Sequence, residues 1–184
     1  MPDQKNIQLI YEQNKNKLAF PYWAKIWPAA FVLTEFIAEN PKWFSNKKVL
    51  ELAAGIGLPS LYVSHFASSV ICSDYNEEAI LFIQENISLN KIGNMSSAFI
   101  DWNQMPDGLE WEVLLMSDIN YNPNDFEVLL ALMIRFIAMG KIILLSTPQR
   151  LAGKSFIEAL LPYCLLNEER MFKKEAINVL VLKK

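Results

Sequence analysis

The chain has 184 residues, 52% hydrophobic and 20% charged, with a formal net charge of −3. That length and balance fit one domain with a substantial core and exclude disordered, collagen-like and coiled-coil classes. The two cysteines, Cys72 and Cys164, lie far apart and form no CxxC pair, which excludes a zinc ribbon or a disulfide scaffold, and the single histidine, His65, speaks against a histidine-based metal site or a Ser-His-Asp triad.

In chain order, residues 1–17 are polar and lack a hydrophobic signal core. Residues 7–17 read as a polar helix or a loose arm. An aromatic segment covers 20–27, and a helix starting at Pro28 runs over 28–39. Residues 49–52 form a short apolar strand, a glycine-containing turn follows, and a helix covers 57–66. A strand over 69–73 leads to a helix capped by Asn76 and running to about Asn90, with Glu77 and Glu78 at its positive end. Strands follow over 97–100 and 113–117.

The apolar run 128–145 resembles a membrane span in hydropathy alone. Arg135 near its middle and the Gly140-Lys141 break divide it. Phe126, Leu129, Leu130, Met133, Ile134 and Ile137 recur at helical spacing after an Asn122-Pro123 start, and 141–146 reads as a buried strand. A helix near 150–161 and two strands near 165–172 and 177–182 close the chain. Strands alternating with helices predict an α/β fold: a Rossmann-like, mostly parallel sheet flanked by helices, with a terminal antiparallel strand pair.

Charge is unevenly spread. Residues 1–48 carry a net +3 and residues 135–184 a net +5, whereas 49–134 carry −11 with Lys91 as their sole Lys or Arg. A nucleic-acid groove needs cations beside phosphates, so neither nucleic acid nor membrane is expected as a partner. A cationic ligand suits the acidic segment.

The chemistry gathers at strand ends. Glu51-Leu52-Ala53-Ala54-Gly55-Ile56-Gly57 takes a strand through a tight turn into a helix, where glycines let the backbone approach a ligand. Its spacing is not the full GxGxxG of a dinucleotide fold, because Ala53 and Ser60 replace the outer glycines. Asp74 ends the second strand, where an acid accepts hydrogen bonds from two ribose hydroxyls. Asp101-Trp102 ends the third, offering an acid and an indole face to an adenine. His65 lies away from these ends, and both thiols read as inert and reduced, which fits a cytoplasmic protein.

With these residues in place, the chain resembles the class I, seven-strand S-adenosylmethionine-dependent methyltransferases. Within that class it is most similar to the family-16 enzymes, which mainly methylate protein lysines. Two further segments carry the likeness: the Trp-Pro segment ending in Trp27-Pro28, and Asp118-Ile119-Asn120-Tyr121, which matches the family's D-x-x-Y motif. The resemblance implies S-adenosylmethionine as cofactor, held by Trp27, Glu51, Ala53, Gly55, Gly57, Asp74, Asp101 and Trp102. It also implies Asp118 and Tyr121 as the catalytic pair, Asp118 drawing in a cationic side chain and Tyr121 flanking it. Residues 1–47 are expected to form an extension closing over the cofactor, and 48–184 the methyltransferase domain. The expected partner is a protein presenting a lysine. A small-molecule amine as acceptor, an NAD oxidoreductase and a non-catalytic module on the same fold stay open as alternatives.

Overall fold

The computed structural model describes residues 21–184, so the expected arm over 7–17 lies outside the described residues. Runs of Val, Ile and Leu suit a sheet buried on both faces. Seven strands form here: β1 Lys48–Leu52, β2 Ser69–Asp74, β3 Met95–Phe99, β4 Val113–Ser117, β5 Ile142–Pro148, β6 Cys164–Phe172 and β7 Glu175–Leu182. They order as β3-β2-β1-β4-β5-β7-β6. The first five pair in parallel, and β7 runs antiparallel to both β5 and β6. The helices are α1 Pro28–Glu39, α2 Leu58–Val63, α3 Glu77–Leu89, α4 Phe126–Ala138 and α5 Lys154–Leu160.

Successive side chains of each strand face opposite layers. In β4, Val113 and Leu115 join a core with Leu33, Phe36 and Ile37 of α1, Val63 of α2 and Ile83 of α3. Leu114 and Met116 join the other core with Leu129, Met133 and Phe136 of α4 and Phe156 of α5. Each fully buried Leu, Ile or Phe contributes roughly 1.5–3 kcal/mol. The apolar run after residue 128 divides as its sequence predicts: α4 ends, Gly140 turns at φ +78°, and β5 begins. Among the described residues no helix is long and apolar enough to cross a membrane.

Several boundaries move for physical reasons. The helix expected over 57–66 ends at Val63, where the Asn94 side chain donates to the carbonyls of Ser64 and Ala67 at 2.8 and 3.0 Å. β5 extends to Pro148 because β7 pairs alongside it, Thr147 opposite Asn178 and Pro148 opposite Ile177. The late helix starts only at Lys154, which leaves Arg150 in the loop at the carboxyl end of β5.

The order of strands fixes where a ligand fits. From β1 the chain steps outward to β2 and β3, then returns to β4 on the other side of β1. Loops leave β1 and β4 in opposite directions at that point, and the crevice beyond their carboxyl ends is the usual ligand site of an open α/β sheet.

Candidate active site

A cavity of about 630 Å³ opens at this switch point, between the ends of β1, β2 and β4 and the segment preceding α1. That volume suits a drug-sized or nucleoside-sized molecule. A second cavity of about 290 Å³ adjoins it, with Ala53, Tyr75 and Tyr121 in both walls. Trp27, Ala53, Gly55, Asp74, Asp118 and Tyr121 line the larger cavity, and Asp101 and Trp102 the smaller. Residues separated widely in sequence thus meet around one space.

The turn after β1 is built from left-handed backbone. Ala53, Gly55 and Gly57 have φ of +51°, +56° and +74°. At Gly55 a side chain would meet the Trp23 carbonyl oxygen at 2.8 Å, so glycine allows the preceding segment to lie on the turn. Gly57 lies outside both cavity walls; a Cβ there would strike the Cys72 sulfur at 2.7 Å, so its role is to bring helix and strand together. Ala53 adopts a conformation costing an L-residue roughly 1–2 kcal/mol.

Asp74 ties the turn to β2. Its two oxygens accept from the Gly55 and Asn76 N–H groups at 2.8 and 3.0 Å. Burial pushes its carboxyl up against those bonds. Glu51 lies below the turn rather than in the cavity wall, fully buried. One oxygen accepts from the Ser60 N–H at 2.9 Å and from the Ser60 hydroxyl; the other, Oε1, has no protein partner. Desolvation raises its pKa to about 8. In the adjoining cavity, Asp101 Oδ1 accepts from the Asn103 N–H at 2.9 Å, fixing the loop that presents Trp102.

The β4 end is organised by side chains. Asp118 is buried, with φ +56°, and its N–H donates to the Ser146 carbonyl at 2.9 Å. The Arg150 guanidinium grips both its oxygens, Nη1 on Oδ1 and Nη2 on Oδ2 at 3.1 Å. Asn120 is buried beside it and accepts from the Thr147 hydroxyl, so the loop after β4 is anchored to the end of β5. Tyr121 stands half-exposed, its ring 6.3 Å from that of Tyr22, which in turn lies 6.1 Å from Trp27. Burial raises the Tyr121 phenol. The Trp27 indole N–H donates to the Tyr22 carbonyl at 3.0 Å, and Lys25 Nζ lies 4.0 Å from the Trp27 ring centroid.

The wall therefore offers carboxylates, aromatic faces and backbone donors. Its two basic side chains, Lys25 and Arg150, are engaged with Trp27 and Asp118. Such a donor set fits an adenosyl sulfonium better than a pyrophosphate: the carboxylates suit ribose hydroxyls, and aromatic faces attract a cation. Among the described residues no cluster of metal-ligating side chains occurs.

The cavity wall also holds Arg150 and Tyr75, to which the sequence gives no site role, and Tyr22, which it reads as a packing residue. A charged residue just past the strand beside the switch point was the available signal for Arg150. The two tyrosines carried none beyond their neighbourhood to named motifs. His65 makes an edge-on ring contact with Tyr62, away from the cavity. Cys72 is fully buried, and burial drives its thiol well above its ordinary value; Cys164 is raised for the same cause.

Comparison with known proteins bears on this geometry. A family profile described as lysine methyltransferase matches residues 3–162. The histone-arginine methyltransferase METTL23 of Xenopus laevis is 31% identical over 63% of this chain and 52% of its own length. A protein N-terminal and lysine N-methyltransferase, EFM7, of Cryptococcus neoformans is 30% identical over 60% of this chain and 42% of its own. The chain thus spans about half the length of these curated relatives. Among solved structures, the N-methyltransferase NodS of Bradyrhizobium japonicum, in complex with S-adenosylhomocysteine, superposes with a TM-score of 0.68 over 97% of this chain and 98% of its own, at 12% identity, which speaks for the shared fold.

Proposed function

The chain belongs to the lysine methyltransferase family, and from that premise we propose that it transfers a methyl group from S-adenosylmethionine to a lysine side chain of a protein. The observation that carries the reading is the convergence of Asp74, Gly55, Trp27, Asp118 and Tyr121 on one cavity at the switch point. When bound, the cofactor supplies an electrophilic methyl group on a sulfonium; the amine lone pair forms the C–N bond as the C–S bond breaks, and the amine's proton leaves to solvent. The chain's own residues bind and aim. Asp74 accepts from the ribose hydroxyls while holding the turn. Asp101 and Trp102 take the adenine in the adjoining cavity. Glu51, from beneath the turn, supports the cofactor's amino-acid end. Trp27 and the described part of the N-terminal extension, residues 21–47, close over the cofactor, leaving 48–184 as the methyltransferase domain.

Asp118, paired with Arg150, and Tyr121 form the acceptor end of the cavity. No covalent intermediate is needed, and orientation supplies most of the acceleration. A lysine must lose its proton first; at pH 7 that costs about 4.6 kcal/mol, from a pKa about 3.4 units above the ambient pH. Partial burial against Tyr121 and the neighbouring sulfonium both lower that cost. The protein works in the cytoplasm, with a protein rather than a nucleic acid as partner, in line with the acidic segment.

Titration calorimetry with S-adenosylmethionine, S-adenosylhomocysteine and NAD tests the cofactor assignment. The two adenosyl compounds bind and NAD does not. Binding of NAD alone, or of none of the three, would overturn it.

A further inference from the structure

The fork between Arg150 and Asp118 poses a question for the acceptor. Both oxygens of the motif carboxylate are already engaged, and the Asp118 side chain is only 7% exposed against 34% for Arg150. Arg150, Asp118 and Tyr121 share this wall, so the carboxylate that faces an incoming amine is one already paired with a guanidinium. A bare, nearly buried carboxylate would hold a lysine in its charged form, raising its pKa by about 1–3 units, which opposes methylation.

We propose that Arg150 is a positioning residue of the acceptor end: it fixes Asp118 in its left-handed backbone conformation and cancels its charge, so that the acceptor amine is presented neutral. The inference rests on the methyltransferase reading above. Three features support it. The guanidinium matches the carboxylate in a planar fork, which a lysine does not reproduce. Arg150 sits in the loop at the end of β5, beside β4, so the pair bridges the two strands that frame this side of the cavity. The loop bearing Asp118 is also anchored to the end of β5 through Asn120 and Thr147, which keeps the two partners in register.

Other charged and titratable groups among the described residues face the site. Asp74, Tyr75 and Glu78 face the cavity from the β2 side, Tyr22 and Lys25 from the segment before α1, and Asp125 lies near Tyr121 beyond β4. Glu175 of β7 acts on Arg150. None of these makes a hydrogen bond to Asp118; among the described residues Arg150 is the cation paired with it.

The test uses sinefungin, an analogue carrying an amine where the cofactor carries its transferable methyl, against S-adenosylhomocysteine, which has neither. Calorimetry on the full chain at pH 7 gives the affinity ratio of the two. Arg150→Gln unmasks the carboxylate and raises the ratio in favour of sinefungin about tenfold, an advantage that fades as the amine loses its proton at alkaline pH. Arg150→Lys, which keeps the charge but loses the planar fork, falls between the parent and Arg150→Gln. Asp118→Asn leaves the guanidinium alone and lowers the ratio, and the double variant returns it towards the parent; these two keep the question answerable should Arg150→Gln misfold. Ratios that stay put in the variants, with S-adenosylhomocysteine still bound, overturn the proposal alone. A parent chain that binds neither compound overturns the methyltransferase reading, and this inference falls with it.

Discussion

The two halves of the cavity are made of different materials. At the ends of β1 and β2 the wall is a turn of left-handed residues, tied to β2 by the Gly55 N–H donating to Asp74. Past β4 and β5 the wall is side chains from two loops, Asp118 and Arg150 being 32 residues apart, held by an ion pair and by Asn120 on Thr147. The first half is set by backbone conformation and persists as long as the fold does. The second depends on charges that one substitution can unbalance. Damage to the first half should therefore register in cofactor binding, and damage to the second in transfer.

The largest effect belongs to the second half. Asp118→Asn keeps the shape and tolerates the left-handed backbone, because Asn visits that region readily. It breaks the charged fork with Arg150 and so loosens the acceptor end: transfer should fall at least about 100-fold while S-adenosylhomocysteine affinity changes by no more than about threefold, since misplacing an acceptor by an ångström is worth that much. Steady-state labelling beside calorimetry separates the two, and a matching loss of binding would erase the contrast between the halves. In the first half, Asp74→Ala should weaken cofactor binding about 30-fold, by removing charge-assisted hydrogen bonds. Unaltered affinity would take Asp74 out of the site.

Glu51 sharpens the comparison through stability. Its folded pKa is raised to about 8, above the ordinary carboxyl value of 4.5, so the folded state keeps a proton that the unfolded chain has released. That contribution is fully present below about pH 4.5 and is lost as pH climbs to 8. Glu51→Gln carries no such proton. Its stability relative to the parent should improve between pH 5 and 8 by on the order of 3 kcal/mol, read from denaturant midpoints at each pH. Parallel pH profiles would mean that Glu51 is ionised when folded. The smallest effect is Ala53→Gly, which relieves the positive φ and should stabilise the chain by about 0.5–1 kcal/mol, after the extra entropy glycine loses on folding. A lower melting temperature would show that the alanine methyl packs usefully.

The first half was also the more legible. Glu51 to Gly57 is one contiguous stretch, and its strand, turn and helix are local consequences of those residues. Asp74 and Asp101 were placed by counting strand ends. Asp118 and Tyr121 were found through a four-residue motif. The fork that occupies Asp118 is not legible there, because it comes from Arg150, which the sequence places at the start of a helix and the fold leaves in the loop before Lys154. The sequence placed Gly57 at the ligand, but its φ and its approach to Cys72 are packing facts that only the folded pairing of helix and strand discloses. Likewise β5 reaches Pro148 because β7 pairs with it, a long-range cause invisible in a local window.

The most direct measurement is methyl transfer from labelled S-adenosylmethionine into the proteins of a cell extract, with the parent chain and Asp118→Asn side by side, followed by amino-acid analysis of the labelled product. The account predicts label in methylated lysine with the parent chain and almost none with the variant. Equal labelling by both, or label absent from lysine while the cofactor is bound, would contradict it.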